Sequence, residues 1–282
     1  MKVTPASIVK SGETLYSLPS IYTELDREIN NPLSNLEDIA NILLDDAALS
    51  ARLLRLTNSA MYNFPSKVDT INRAITIVGT NQLRDLALST SVITLFNGID
   101  QSVINMEEFW RHSIGVGIAA RVITSYQSEP NVERFYLMGL LHDIGRLIMY
   151  IQIPELMAKV QTPCIEQQQL LYQCEQEVLG FDHGDVGMEL LQNWKLPSPI
   201  RDAVGYHHHP LGSKVHTREA AIIHLADLLV NGLQMGTSSG THLVPPLNDK
   251  AWQSIGISSA KLPDILSRID TQYRDVVEIF LS

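Results

Sequence analysis

The chain is poor in everything that would cross-link it, anchor it in a membrane or draw it to nucleic acid. Only two of its 282 residues are cysteines, Cys164 and Cys174. That is too few for a disulfide framework or a thiolate metal cage, and it fits a reducing cytoplasm. Residues 1–20 lack the basic-then-apolar pattern of a secretory leader. No apolar run reaches the ~18 residues of a membrane span; the longest, Ala220 to Val230, is broken by His224 and Asp227. Basic residues number 21 against 31 acidic ones, a net charge of −10, the opposite of the basic face of a phosphate-backbone binder. Arg52, Arg55, Arg73 and Arg84 interleave with Asp45, Asp46, Asp69 and Asp85, which makes a mixed solvated surface instead. No segment sustains two-residue alternation between hairpin turns, so a sheet is not expected. Repeats and low-complexity tracts are also missing, and a 45% hydrophobic content excludes general disorder.

What is present is helical periodicity. Leu18, Ile21, Tyr22, Leu25 and Ile29 make one apolar face. Ser34, three residues before Glu37, has capping-box spacing and opens a helix striped by Leu36, Ile39, Ala40, Leu43 and Leu44. Leu49, Leu53 and Leu56 mark a third helix, and Pro65 places a loop over 63–66. Ile71, Ala74, Ile75 and Val78 predict a short helix ended by Gly79, followed by another over 82–96. The stretch 97–105 is the best boundary, dividing a smaller helical subdomain, 1–104, from a multi-helical domain, 105–282. There Asn105 caps Glu108 and opens a helix carrying Trp110, His112, Ile114 and Ile118. Further helices are expected over 132–150, 154–161, 166–179, 186–194, 199–208, 219–233 and 262–280, with a long loop over 237–249. Trp110, Trp194 and Trp252 read as packing residues. The fold class is all-α.

Within this frame nine histidines stand out. Val132, Tyr136, Leu140, Asp143 and Leu147 share one stripe of the 132–150 helix, which turns Asp143 toward the interior beside His142. A buried carboxylate needs a cation, a metal or several donors, and an arginine partner would suffice. Asp227 sits in an equally apolar helix, His112 on the face of another, and His183 follows Asp182 at a helix start. Tyr206-His207-His208-His209-Pro210 closes one more helix. Each alone has an ordinary explanation: a core histidine for His112, a helix cap for Asp182, the macrodipole for His207 to His209. Imidazole and carboxylate together suit Zn, Fe, Mn or Ni, and one Asp can bridge two ions.

The order His112, His142-Asp143, Asp227 resembles the H…HD…D signature of the HD superfamily of metal-dependent phosphohydrolases. Closer still is the HDOD family, an HD-related output domain of bacterial signalling proteins. Its pattern is echoed by Leu18-Pro19, by the segment Leu49 to Leu56, by Asn58-Ser59-Ala60 and by Ile71 to Ile75. The echo continues through Leu141-His142-Asp143-Ile144-Gly145, Asp182-His183 with Val186-Gly187, Trp194-Lys195-Leu196-Pro197 and Tyr206-His207-His208. The resemblance spans roughly Leu18 to Leu233. It implies an HD-like fold in which His112, His142, Asp143 and Asp227 bind one metal ion. By resemblance to HD-GYP phosphodiesterases, Asp143 would bridge to a second ion held by His183, His207 and His208. Two departures bear on catalysis. Pro210-Leu211-Gly212-Ser213 stands where those enzymes carry Gly-Tyr-Pro, and Arg146 stands where they carry lysine. Arginine can clamp a phosphate but donates protons poorly near neutral pH; a plain ion-pair role for Arg146 is equally open. His224 is expected beside the ligands or in the core, and His216 and His242 at the surface; His209 also falls outside the pattern.

Two functions follow as expectations. One is a cytoplasmic signalling or regulatory module with a protein partner, a metal site of one or two divalent transition-metal ions, and room for a nucleotide-like ligand. The other is an active phosphohydrolase on a nucleotide-type phosphoester. Membrane and nucleic acid are not expected partners.

Overall fold

The computed structural model describes residues 3–12, 16–96, 104–237, 239 and 243–281. Among the described residues there are helices and no strand. The first part holds α1 (Pro5–Ser11), α2 (Ser20–Ile29), α3 (Leu36–Leu44), α4 (Ala47–Thr57), α5 (Ile71–Val78) and α6 (Thr80–Leu95). The second opens with α7 (Met106–Ser125), α8 (Val132–Leu141), α9 (Ile144–Gln152), α10 (Pro154–Gln167) and α11 (Leu171–Leu179). It closes with α12 (His183–Asn193), α13 (Ser198–Gly205), α14 (Thr217–Gly232), α15 (Asp249–Ile255) and α16 (Leu262–Leu281). The boundary expected over 97–105 falls largely outside the described residues. One apolar core takes in side chains from Ile8 through Val277.

Helix α7 is the axis of that core. From Phe109 to Thr124 every residue but Arg111 is buried, the mark of a helix enclosed on all sides. It packs against α8, α14 and α16. The α7–α8 crossing is unusually close: a Cβ on Gly139 would lie 2.6 Å from Gly117 Cα, so only glycine fits there. Gly145 plays the same part at the start of α9, where a Cβ would stand 2.0 Å from the His183 carbonyl oxygen. These two contacts draw α7, the α8–α9 junction and the head of α12 together.

Several elements differ from the sequence reading. The expected single helix over 132–150 is two, because Asp143 leaves helical geometry (φ −99°, ψ 7°) and caps α9. The chain turns there to follow the core, and the His142-Asp143 pair occupies the corner. Asn35, not Ser34, caps α3; its side chain accepts from the amides of Glu37 and Asp38, while Asp38 accepts from the Asn35 amide. The box thus operates one residue later, with asparagine and aspartate in the two roles. Helix α10 runs on to Gln167 and ends at left-handed Gln168 (φ 52°), which moves the start of α11 to Leu171. Helices α1 and α15 were not foreseen, being too short for a periodic stripe. Trp110 and Trp194 are buried and Trp252 half-buried, in packing roles. His209 is exposed; His216 is half-buried and hydrogen-bonded to Ser198 Oγ at 3.0 Å. His242 lies outside the described residues.

Candidate metal centre

Six helices, α7, α8, α9, α12, α13 and α14, deliver the titratable groups to one place. Helix α7 brings His112, the α8–α9 corner His142 and Asp143, and the first turn of α9 Arg146. His183 is the first residue of α12, His207 and His208 follow α13, and Asp227 projects from α14. All seven residues expected from the sequence as metal ligands are brought together, and all but the half-buried His208 are buried.

Two of the imidazoles are tethered to the ends of their own helices. His142 Nδ1 donates to the Gly139 carbonyl at 2.7 Å, and His207 Nδ1 to the Val204 carbonyl at 2.7 Å. A carbonyl can only accept, so each Nδ1 carries the proton and each Nε2 turns a lone pair inward. His142 Nε2 has no hydrogen-bond partner. Such an atom costs on the order of 1–3 kcal/mol unless something pairs with it.

The inward atoms fall into two groups that share Asp143. In one, His112 Nε2 lies 3.1 Å from Asp227 Oδ1, and His142 Nε2 lies 3.7 Å from it. Asp143 Oδ2 stands 3.4 Å from His142 Nε2 and 3.9 Å from His112 Nε2. In the other, His183 Nε2 is 3.3 Å from His207 Nε2, 2.9 Å from His208 Nε2 and 2.9 Å from Asp143 Oδ1. Ligands about 2.1 Å from a tetrahedral ion are about 3.4 Å from one another. The first group brackets that spacing, as does the second with His207 Nε2 at 3.8 Å from Asp143 Oδ1 included, and the donor set is the nitrogen-and-oxygen one of Zn, Fe, Mn or Ni. The residues of both groups could hold a metal ion.

Charge points the same way. Asp143, Asp227 and Glu175 are three buried carboxyl groups, and the fixed buried cation beside them is Arg146. Arg146 Nη1 donates to Asp143 Oδ2 at 2.9 Å. Its Nη2 is 3.1 Å and 3.2 Å from the two ring nitrogens of His183, nearly equidistant, so the guanidinium lies over the ring face and not on a lone pair. Burial pushes the Asp143 carboxyl up, but Arg146, His142 and His183 together hold it well below the usual carboxylate range. For Asp227, too, burial is outweighed, by the hydrogen bond and charge of His112, and its carboxyl sits at about 2. Burial lowers His142. Burial, with His142 and His183 alongside, lowers His207 to about 3. Burial, with His207 and His183, takes His208 well below 6.5. These three stay neutral, as ligands must be. His183 is the exception: burial and Arg146 lower it, but Glu175 and Asp143 overcome both and raise it to about 9.

Sequence reasoning missed three neighbours. Glu175 on α11 accepts from His183 Nδ1 at 2.6 Å. Asn231, one turn after Asp227, donates to its Oδ1 at 2.7 Å; the i, i+4 spacing was the available signal. Tyr172 stacks on His208 at 4.0 Å. His224, expected near the ligands or in the core, donates Nδ1 to the His207 carbonyl at 2.8 Å and so fixes a ligand's backbone. A cavity of about 30 Å³ opens on the centre, walled in part by His112, Asp143, Arg146, Tyr172, His208 and Asp227.

The chain matches the HDOD domain family over residues 15–210. It is 26% identical over 204 residues to an uncharacterised protein of Treponema pallidum (strain Nichols); the match takes in 72% of this chain and 39% of that protein. The chain therefore spans well under half the length of this relative. Among solved structures, an HDOD domain protein of unknown function from Geobacter sulfurreducens superposes with a TM-score of 0.80 at 24% identity, covering 99% of both chains. A proposed phosphohydrolase from Shewanella amazonensis SB2B gives 0.74 at 23% identity over 98% of both. At these identities the likeness speaks for the fold.

Proposed function

The chain belongs to the HDOD domain family, and we propose that it is a cytoplasmic signal-transduction module built around a two-ion metal centre. In this reading His112, His142, Asp143 and Asp227 hold one divalent transition-metal ion. Asp143, His183, His207 and His208 hold the other, with Fe, Mn, Zn or Ni all compatible with the donors. The observation that carries it is the convergence of buried Nε2 and carboxylate atoms in two groups about Asp143, with a hydrogen-bond partner lacking at His142 Nε2. Bound ions would polarise water and any phosphoryl oxygen brought to them. The chain's own residues set the frame: Gly139 and Val204 carbonyls orient two imidazoles, Asn231 orients Asp227, and Arg146 holds Asp143. What favours signalling over turnover is Arg146, whose Nη1 is bonded to Asp143 Oδ2 at 2.9 Å and which donates protons poorly near neutral pH. The partner is then a signalling protein, and the net charge of −10 disfavours nucleic acid.

A second reading is metal-dependent hydrolysis of a nucleotide-type phosphoester. It is favoured by the cavity wall, where His112 and Asp227 from one group and His208 from the other stand beside Arg146, a phosphate clamp in this reading. Elemental analysis and anomalous scattering of protein reconstituted with Mn, Fe or Zn test the shared premise. Two ions at the Asp143 site are expected; none after reconstitution sinks both readings. Turnover of bis(p-nitrophenyl) phosphate by the loaded protein, lost in Asp143→Ala, would transfer the conclusion to the hydrolase.

A further inference from the structure

Glu175 has no counterpart among the residues that the sequence pattern singles out, yet it is the most completely enclosed acidic side chain near the centre, with 0% of its surface exposed. A single oxygen, Oε2, accepts twice from one residue: from the His183 amide at 3.0 Å and from His183 Nδ1 at 2.6 Å. The ring is thereby held at both its root and its edge. With Nδ1 committed to Glu175, Nε2 is the atom turned to Asp143, His207 and His208.

His142 and His207 achieve the same orientation with carbonyls three residues earlier in their own chain. His183 is the first residue of α12, so the residues before it are outside the helix and offer no such carbonyl at that position. Its orienting group has to come from another element, and α11 supplies it. A carboxylate is also a stronger acceptor than a carbonyl, which makes the imidazole a better donor to a cation. The element that carries Glu175 also packs through a small apolar cluster formed by Val160, Cys164, Leu171 and Cys174, and its Tyr172 stacks on His208.

From this geometry we infer that Glu175 is the positioning residue of the His183-side ion, fixing the tautomer and orientation of His183 while touching no ion itself. The inference rests on the two-ion reading. It predicts a selective effect: loss of Glu175 weakens the ion held by His183, His207 and His208 and spares the one held by His112, His142 and Asp227.

Titration of metal-free protein with Mn²⁺ by calorimetry, with anomalous diffraction to locate each ion, tests it in wild type, Glu175→Gln and Glu175→Ala. Glutamine keeps an oxygen for both His183 donors but loses the charge, so the His183-side affinity should fall in the order wild type, Gln, Ala. The drop for alanine should be on the order of 10–100-fold, with the other ion unchanged. Unchanged His183-side affinity in both variants overturns the inference, as does equal weakening of both ions, which would mark a general structural role. If Glu175→Ala does not fold, Glu175→Gln decides by the same two criteria. Wild-type protein that takes no ion on the His183 side defeats the two-ion reading itself, and this inference with it.

Discussion

Replacing Asp143 with asparagine keeps the side-chain volume and one acceptor oxygen but removes the charge that both ligand groups share. In metal-free protein the immediate loss is the partner of Arg146, whose guanidinium is buried and bonded to Asp143 Oδ2 at 2.9 Å. Breaking a buried ion pair from one side costs roughly 3–5 kcal/mol, because the remaining charge stays buried. Asparagine still offers an oxygen to Arg146, which places Asp143→Asn near the lower end of that range. The second loss appears only with metal. An ion at about 100 times its dissociation constant stabilises the folded state by about 2.7 kcal/mol, so two independent ions would add about 5 kcal/mol to wild type. Since Asp143 reaches both groups, through Oδ2 at 3.4 Å from His142 and Oδ1 at 2.9 Å from His183, the variant should gain little from either. Urea unfolding followed by circular dichroism, with and without Mn²⁺, reads both numbers. A variant that keeps the wild-type metal-dependent gain would refute the bridging role of Asp143, whatever its metal-free stability. A variant that keeps half of it would show Asp143 serving one ion only.

Other outcomes follow from the same contacts. His112→Ala and His207→Ala should each lose one ion of two by elemental analysis, and the double variant both; loss of both from either single change would contradict separate groups. Asn231→Ala removes a 2.7 Å hydrogen bond to Asp227 and should cost about 1.5–3 kcal/mol in urea unfolding. Gly145→Ala places a Cβ 2.0 Å from the His183 carbonyl and 2.4 Å from the Gly187 amide; both obstacles are backbone, so about 3 kcal/mol or more should be lost, and a stable variant would show that α9 and α12 separate freely. His183, raised to about 9 when metal-free, contributes stability that is fully present below its unfolded value near 6.5 and lost as pH rises to about 9. Metal-free protein should therefore show a falling urea midpoint across that window, and Glu175→Gln a smaller fall. Asp227, depressed to about 2, acts in the opposite sense: its contribution is present above the unfolded value of about 3.9 and is lost as pH falls through 2.

The helical class was legible because it depends on local chemistry: periodic leucines and isoleucines specify helices whatever they pack against. The residues gathered around Asp143 were legible through the family resemblance, which places His142-Asp143 and His207-His208 in one candidate site. The corner at Asp143 was not legible. The stripe Val132, Tyr136, Leu140, Asp143, Leu147 is equally compatible with one straight helix, and the break falls between the close approaches at Gly139 and Gly145, which are tertiary and carry no periodic signal. Glu175 was invisible for a related reason. Its partner, His183, is eight residues away across a helix end and a turn, a separation with no fixed periodicity. Asn231 lay one turn from Asp227 and could have been found. The cap of α3 was misplaced by one residue because Ser34-Asn35 followed by Glu37-Asp38 offers two overlapping boxes, and the choice between them is a matter of backbone geometry.

Arg146 bears on which of the two readings the centre serves. A lysine at that position would carry one compact charge on a flexible stem, free to leave Asp143 for an incoming phosphate and able to lose a proton when buried. The guanidinium does neither. It is planar, its Nη1 is bonded to Asp143 and its Nη2 lies over the ring of His183, so moving it toward a ligand would uncover the buried carboxylate and the imidazole at once. Its pKa is raised, since burial is outweighed by Asp143 and Glu175, and it has no proton to give at neutral pH. In the two-ion reading such a centre would hold its shape around the ions. Arg146 would not serve it as a mobile proton donor to a leaving group, and this is the physical reason for placing signalling ahead of hydrolysis.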